Sequence, residues 1–93
     1  MKIVGFIWLE EIVEKLAVKH HVVPDEVEQV FTSRPSFKRW QRGHLRGEDV
    51  YQVLGQTEAG RYLVIFFIYQ QTGEALIISA RDMDRKERKS YGR

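Results

Sequence analysis

Two apolar runs in the last third of the chain narrow the fold more than any other feature. Tyr62-Leu-Val-Ile-Phe-Phe-Ile68 and Ala75-Leu-Ile-Ile-Ser-Ala-Arg81 flank a turn at Gln70-Gln-Thr-Gly73. Both are rich in β-branched and aromatic residues, and such runs around a glycine-containing turn predict a β-hairpin. The first run is apolar at odd and even positions alike, which predicts a central strand covered on both faces. Val50-Tyr-Gln-Val-Leu54 precedes it across Gly55-Gln-Thr-Glu-Ala-Gly60, which gives a second hairpin. Whatever lies upstream must cover this sheet.

The upstream residues supply that cover. Lys2 to Trp8 has strand composition, and at Leu9 the period changes: Leu9, Ile12, Val13 and Leu16 fall at helical spacing as far as His20. Glu10 and Glu11 in the first turn and Lys19-His20 in the last agree with the helix dipole. After the connection His21-Val22-Val23, Pro24 suits the first turn of a second helix, whose apolar face is Val27, Val30 and Phe31. Ser33-Arg34-Pro35-Ser36 ends it. Phe37 to Arg42 reads as an edge strand defended by charge or as an ordered loop, and Gly43 to Asp49 as a loop. Met83 to Tyr91 closes the chain as a short helix, capped by Asp82 or Asp84. The order β-α-α-β-β-β-α predicts an α+β fold: a small antiparallel sheet with two N-terminal helices on one face and a short C-terminal helix.

A chain of 93 residues is expected to form a single domain over residues 1–93. With no cysteine, it has neither a disulfide nor a thiolate metal site. No apolar run reaches the length of about 18 residues that a membrane span requires, and a cytoplasmic location without membrane contact is expected. The net charge is only +2, so the distribution carries the information. Acid concentrates between Glu10 and Glu28, base between Arg34 and Arg46 and again between Arg81 and Arg93.

Three constellations could carry chemistry. In the C-terminal block Arg81, Arg85, Arg88 and Tyr91 recur at three- and four-residue spacing, which suits phosphate forks and a stacking ring. The bland reading is a solvated helix neutralised by Glu87 and the aspartates. In the middle block Arg34, Lys38, Arg39, Arg42 and Arg46 interleave with Phe37 and Trp40, a pattern suited to tracking a nucleic-acid backbone and stacking bases. A charged edge strand with Trp40 covering the core explains it equally. Finally, Lys19, His20, His21 and His44 offer groups for proton transfer, although a histidine at a helix C-terminus is the commoner arrangement. The histidines have no carboxylates at ligand spacing, so no metal site is expected. Glu48-Asp49 either orients an arginine or simply ends a loop.

The residues nevertheless fall in a familiar order. Phe6-x-Trp8, Lys19-His20-x-Val22, the Pro-x-Glu-Val start of the second helix, Gly47-Glu48-Asp49-x-Tyr51, Leu54-Gly55-x-Thr57, Gly60-Arg61 and Ile78-Ser79-Ala80-Arg81-x-Met83-x-Arg85-x-Glu87-Arg88-x-x-Tyr91 follow one another. Together they resemble the BrnT toxins of the RelE-like ribonuclease superfamily, found in type II toxin–antitoxin pairs. The resemblance spans nearly the whole chain. It departs from the family pattern at Ile7, Leu9, Ile12, Leu16 and Val50, where family members carry polar residues.

What the resemblance implies is a metal-independent endoribonuclease toxin that drives the 2′-hydroxyl of RNA onto the adjacent phosphate without a cofactor. RNA and a BrnA-like antitoxin protein would be its partners, and a homodimer is left open. Carried over by position, the catalytic candidates are Lys19, His20, Arg61, Arg81, Arg85, Arg88 and Tyr91, with Glu48 as an orienter. Lys38, Arg39, Trp40 and Arg42 would bind RNA. The expectation is that the C-terminal guanidinium groups converge on one phosphate-sized pocket. The alternative is a non-catalytic RNA-binding or protein-interaction domain of the same fold.

Overall fold

The computed structural model describes residues 1–43 and 47–92. Arg46 of the middle basic block, His44 of the proton-transfer candidates, and Arg93 lie outside the described residues. The elements run β1 (Gly5–Ile7), α1 (Glu10–His20), α2 (Pro24–Thr32), β2 (Ser36–Gln41), β3 (Val50–Gln56), β4 (Tyr62–Tyr69), β5 (Glu74–Asp82) and α3 (Arg85–Tyr91). One five-stranded sheet has the order β1-β5-β4-β3-β2, which places the apolar run of β4 at its centre. The fold is α+β as expected, and the ambiguous stretch after Pro35 is the edge strand β2.

The sheet differs from a wholly antiparallel one at a single strand. β2 to β5 pair antiparallel through consecutive connections, but β1 pairs parallel with β5, Phe6 opposite Ala75. Parallel neighbours need a crossover rather than a tight turn. Here α1 and α2 carry the chain from β1 at one edge to β2 at the other, so no local turn sets the direction of β1.

Both N-terminal helices cover the same face. Leu16, Val22, Val27, Val30 and Phe31 pack on Val53, Leu63, Ile65, Phe67, Ala75, Ile77 and Ala80. Phe31 sits among Phe6, Phe37 and Phe67 with ring centroids 5.0 to 5.9 Å apart, edge-on or tilted, as aromatic quadrupoles prefer. Leu16 and Ile12, two of the departures from the family pattern, belong to this core or pack against it. Gly55 lets α2 come close: a Cβ there would lie 2.7 Å from Val30 Cγ1 and 3.1 Å from its carbonyl oxygen.

Two bulges decide which side chains reach the other face. In β5, Phe66 pairs with Ser79 and Phe67 with Ile77, so Ile78 is the extra residue. The alternation that buries Ala75 and Ile77 restarts at Ala80, and Arg81 turns away from the helices. In β2, Arg39 pairs with Tyr51 and Gln41 with Val50, leaving Trp40 as the extra residue. Bulges bend a strand and re-aim its side chains.

Candidate functional site

α3 crosses one end of the open sheet face, from β5 towards the start of β2. Its start is fixed by Asp84, whose carboxylate accepts from the Glu87 N–H at 2.7 Å, while the Glu87 carboxylate accepts from the Asp84 N–H at 2.9 Å. Of the two aspartates that could cap this helix, Asp84 does so. The far end is held by Tyr91, whose hydroxyl donates to the Arg34 carbonyl at 3.0 Å. Arg34 itself has a left-handed backbone, φ 52°.

Between α3 and the sheet lies a cleft of about 510 Å³. Lys38 and Trp40 of β2, Gln52 and Leu54 of β3 and Arg81 of β5 form its sheet side. Asp84, Lys86, Glu87, Ser90 and Tyr91 form its helix side. A second hollow continues it past Tyr91 to Arg34, Gln56 and Tyr62. Trp40 stands 54% exposed with its ring edge-on to Phe66, centroids 5.3 Å apart. The Arg81 guanidinium lies 5.7 Å from the centre of the same Phe66 ring. The cleft therefore joins an aromatic platform to cations from three separate elements.

Arg81 is already engaged. It donates to both Glu87 carboxylate oxygens, at 2.8 and 2.9 Å, and to the Asp82 carbonyl at 3.2 Å. The hydrogen bonds to Glu87 raise the Arg81 guanidinium above its ordinary value, and those from Arg81 hold the Glu87 carboxyl below the usual carboxylate range. This fork fixes the plane of the guanidinium and, with the Asp82 carbonyl, takes both Nη1 hydrogens and one of the two on Nη2.

Arg61 belongs elsewhere. It donates to the carbonyls of His20 (2.7 Å) and His21 (2.6 Å), to Glu26 (3.3 Å) and to Asp82 through Nε (2.8 Å). It thereby satisfies the last carbonyls of α1 and ties both helices to the end of the sheet. The hydrogen bond with Asp82 does most to raise Arg61 and to lower Asp82. Arg81 and Asp82 are adjacent on one strand and point to opposite faces, so Arg61 and Arg81 are separated by the sheet.

The expected convergence of guanidinium groups is thus not what the fold builds. Arg81 and Tyr91 share the cleft with Lys38 and Trp40. Arg88 lies outside the lining and stacks on the Tyr62 ring, 3.7 Å from its centre, while Arg85 is exposed on the same short helix. Lys19 is exposed on α1, and His20 ends that helix beside Arg61, on the far side of the sheet from the cleft. Glu48 lies in the β2–β3 connection, next to the Val50–Ile68 end of the sheet and so opposite the end where α3 begins. Arg39 pairs with Asp49 at 3.6 Å, and Arg42 is exposed just past β2.

Sequence reasoning missed Gln52, Lys86 and Ser90, all in the cleft lining. Gln52 sits in an otherwise apolar strand run, and that break in the pattern was its only signal. Among the described residues no three His, Asp or Glu side chains gather as a metal site, and no helix is long and apolar enough to cross a membrane.

A small mixed sheet, two helices packed on one face and a basic, aromatic cleft on the other define a class of small α+β domain. The family itself follows from comparison: the model described as "Ribonuclease toxin, BrnT, of type II toxin-antitoxin system" matches residues 8–87. The chain belongs to the BrnT family of ribonuclease toxins. No curated protein matches it.

Proposed function

We propose that this BrnT family member is a metal-independent endoribonuclease whose reacting phosphate binds in the cleft between α3 and the open sheet face. The observation that carries the reading is that cleft, where Arg81, Tyr91, Lys38 and Trp40 meet from elements distant in sequence. The 2′-oxygen attacks the neighbouring phosphorus and loses its proton to a base, and the bond to the 5′-oxygen breaks as that oxygen gains a proton. The products are a 2′,3′-cyclic phosphate and a 5′-hydroxyl. Arg81, oriented by Glu87, holds the phosphate and offsets the charge of the transition state. Tyr91 serves proton transfer, and Trp40 stacks a neighbouring base. Arg88, Arg85, Arg39 and Arg42 steer the RNA backbone. In this reading Arg61 supports the scaffold, and Lys19, His20 and Glu48 take no step in the cleft. The protein acts in the cytoplasm, held inactive by a BrnA-like antitoxin.

The test is cleavage of RNA by purified protein in excess chelator, with the ends of the products identified. Cyclic phosphate ends are expected, together with a loss of about a hundredfold in Arg81→Ala. Intact RNA with the wild type, cleavage that requires added metal, or equal rates for the two proteins would overturn the assignment. A second reading, RNA binding without cleavage, is favoured by the partnered state of Arg81, whose charge Glu87 offsets. It predicts salt-sensitive retention of RNA that stays intact.

A further inference from the structure

Gln52 lies at the floor of the cleft, only 4% exposed, and its Oε1 has no hydrogen-bond partner. Such a group is uncommon, because a buried polar atom without a partner destabilises the fold. Leucine would fit this strand position without that penalty. Its surroundings say what kind of partner is missing. In register, Lys38 stands directly opposite on β2 and Phe66 directly opposite on β4. Trp40 reaches Phe66 from the β2 bulge, and Arg81 lies over the same ring. An acceptor in the floor, an ammonium beside it and the exposed Trp40 ring along one side are the complement of a flat, polar-edged ring next to an anion.

We infer that Gln52 reads a nucleobase: a base of single-stranded RNA stacks against Trp40 and donates an N–H to Gln52 Oε1, while Lys38 meets an acceptor on the same edge. The inference rests on the ribonuclease reading above and adds to it a determinant of sequence preference. Guanine fits best. Its N1–H and N2–H face the amide oxygen, and its O6, on the same edge, is an acceptor for the lysine ammonium. The charges of the cleft suit a polyanion, with Lys38, Arg81 and Lys86 set against Asp84 and Glu87. Methyl-rich or acidic protein side chains offer the orphan acceptor no donor.

The experiment uses the full chain and four short single-stranded RNAs that differ at one base, comparing cleavage rate and affinity in wild type, Gln52→Leu and Gln52→Met. The wild type is expected to favour the guanine RNA about tenfold, and the four RNAs to converge in both variants. Melting temperature is read in parallel. Replacing an orphan amide with an apolar side chain is expected to raise it, whereas a fall in both variants would show an amide satisfied within the fold and overturn the inference. Equal treatment of the four RNAs by the wild type would also overturn it, leaving a donor from a protein partner as the occupant. A preference unchanged in the variants overturns it as well. A Gln52-dependent preference for another base keeps the reader and overturns guanine. Failure of the wild type to bind or cut any of the four RNAs removes the ribonuclease reading itself, and this inference with it.

Discussion

Glu87 takes both of its carboxylate oxygens to the Arg81 guanidinium, and the same carboxylate accepts from the Asp84 N–H. One side chain thus starts α3 and aims the arginine of the cleft. Glu87→Gln keeps the shape but loses the charge, and Glu87→Ala loses both. Thermal unfolding should show destabilisation of about 1–2 kcal/mol for the alanine variant and less for glutamine. In a salt titration of RNA binding, Glu87→Gln should bind at least as tightly as wild type, since Arg81 is no longer neutralised, while Arg81→Ala binds more weakly.

Arg61→Lys makes a sharp comparison with Arg81. An ammonium cannot span two backbone carbonyls and two carboxylates that a planar fork reaches together. The variant should lose about 2–3 kcal/mol of stability in denaturant titration. Its rate per folded molecule should stay close to wild type. A selective loss of rate with normal stability would move Arg61 into the chemistry.

Acid should loosen the end of the sheet where these pairs lie. Hydrogen bonds from Arg61 and Arg81 hold Asp82 and Glu87 below the ordinary carboxylate range. A carboxylate depressed in the folded state adds stability that is present above its unfolded value, near 4, and lost as pH falls through the folded value. Melting temperature should therefore fall below about pH 4. The fall should be shallower in Asp82→Asn, which starts from a less stable baseline.

His21 closes α1 with a left-handed backbone, φ 54°, and its N–H donates to the Leu16 carbonyl. Glycine adopts that conformation without a Cβ clash. His21→Gly should stabilise the protein by about 1 kcal/mol, a rise of roughly 4–8 °C in melting temperature for a domain of this size. The Arg61 contact survives because it uses only the His21 carbonyl.

The sequence by itself determined the kinds of elements and the core. Apolar period, the turns before Gly60 and Gly73, and Pro24 at a helix start are local signals, and each placed its element within a few residues. Residues in consecutive strands were also legible as neighbours, since a short turn leaves them few alternatives. Only the tertiary structure decided which side chains share a surface. The Ile78 bulge moves Arg81 to the open face, although strict alternation from Ala75 would have put it with the core. The Trp40 bulge carries its ring towards Phe66, and the crossover helices make β1 parallel to β5. Such outcomes depend on how whole layers pack against one another. A single inserted residue reverses the facing of everything after it, and no local propensity marks where that residue falls.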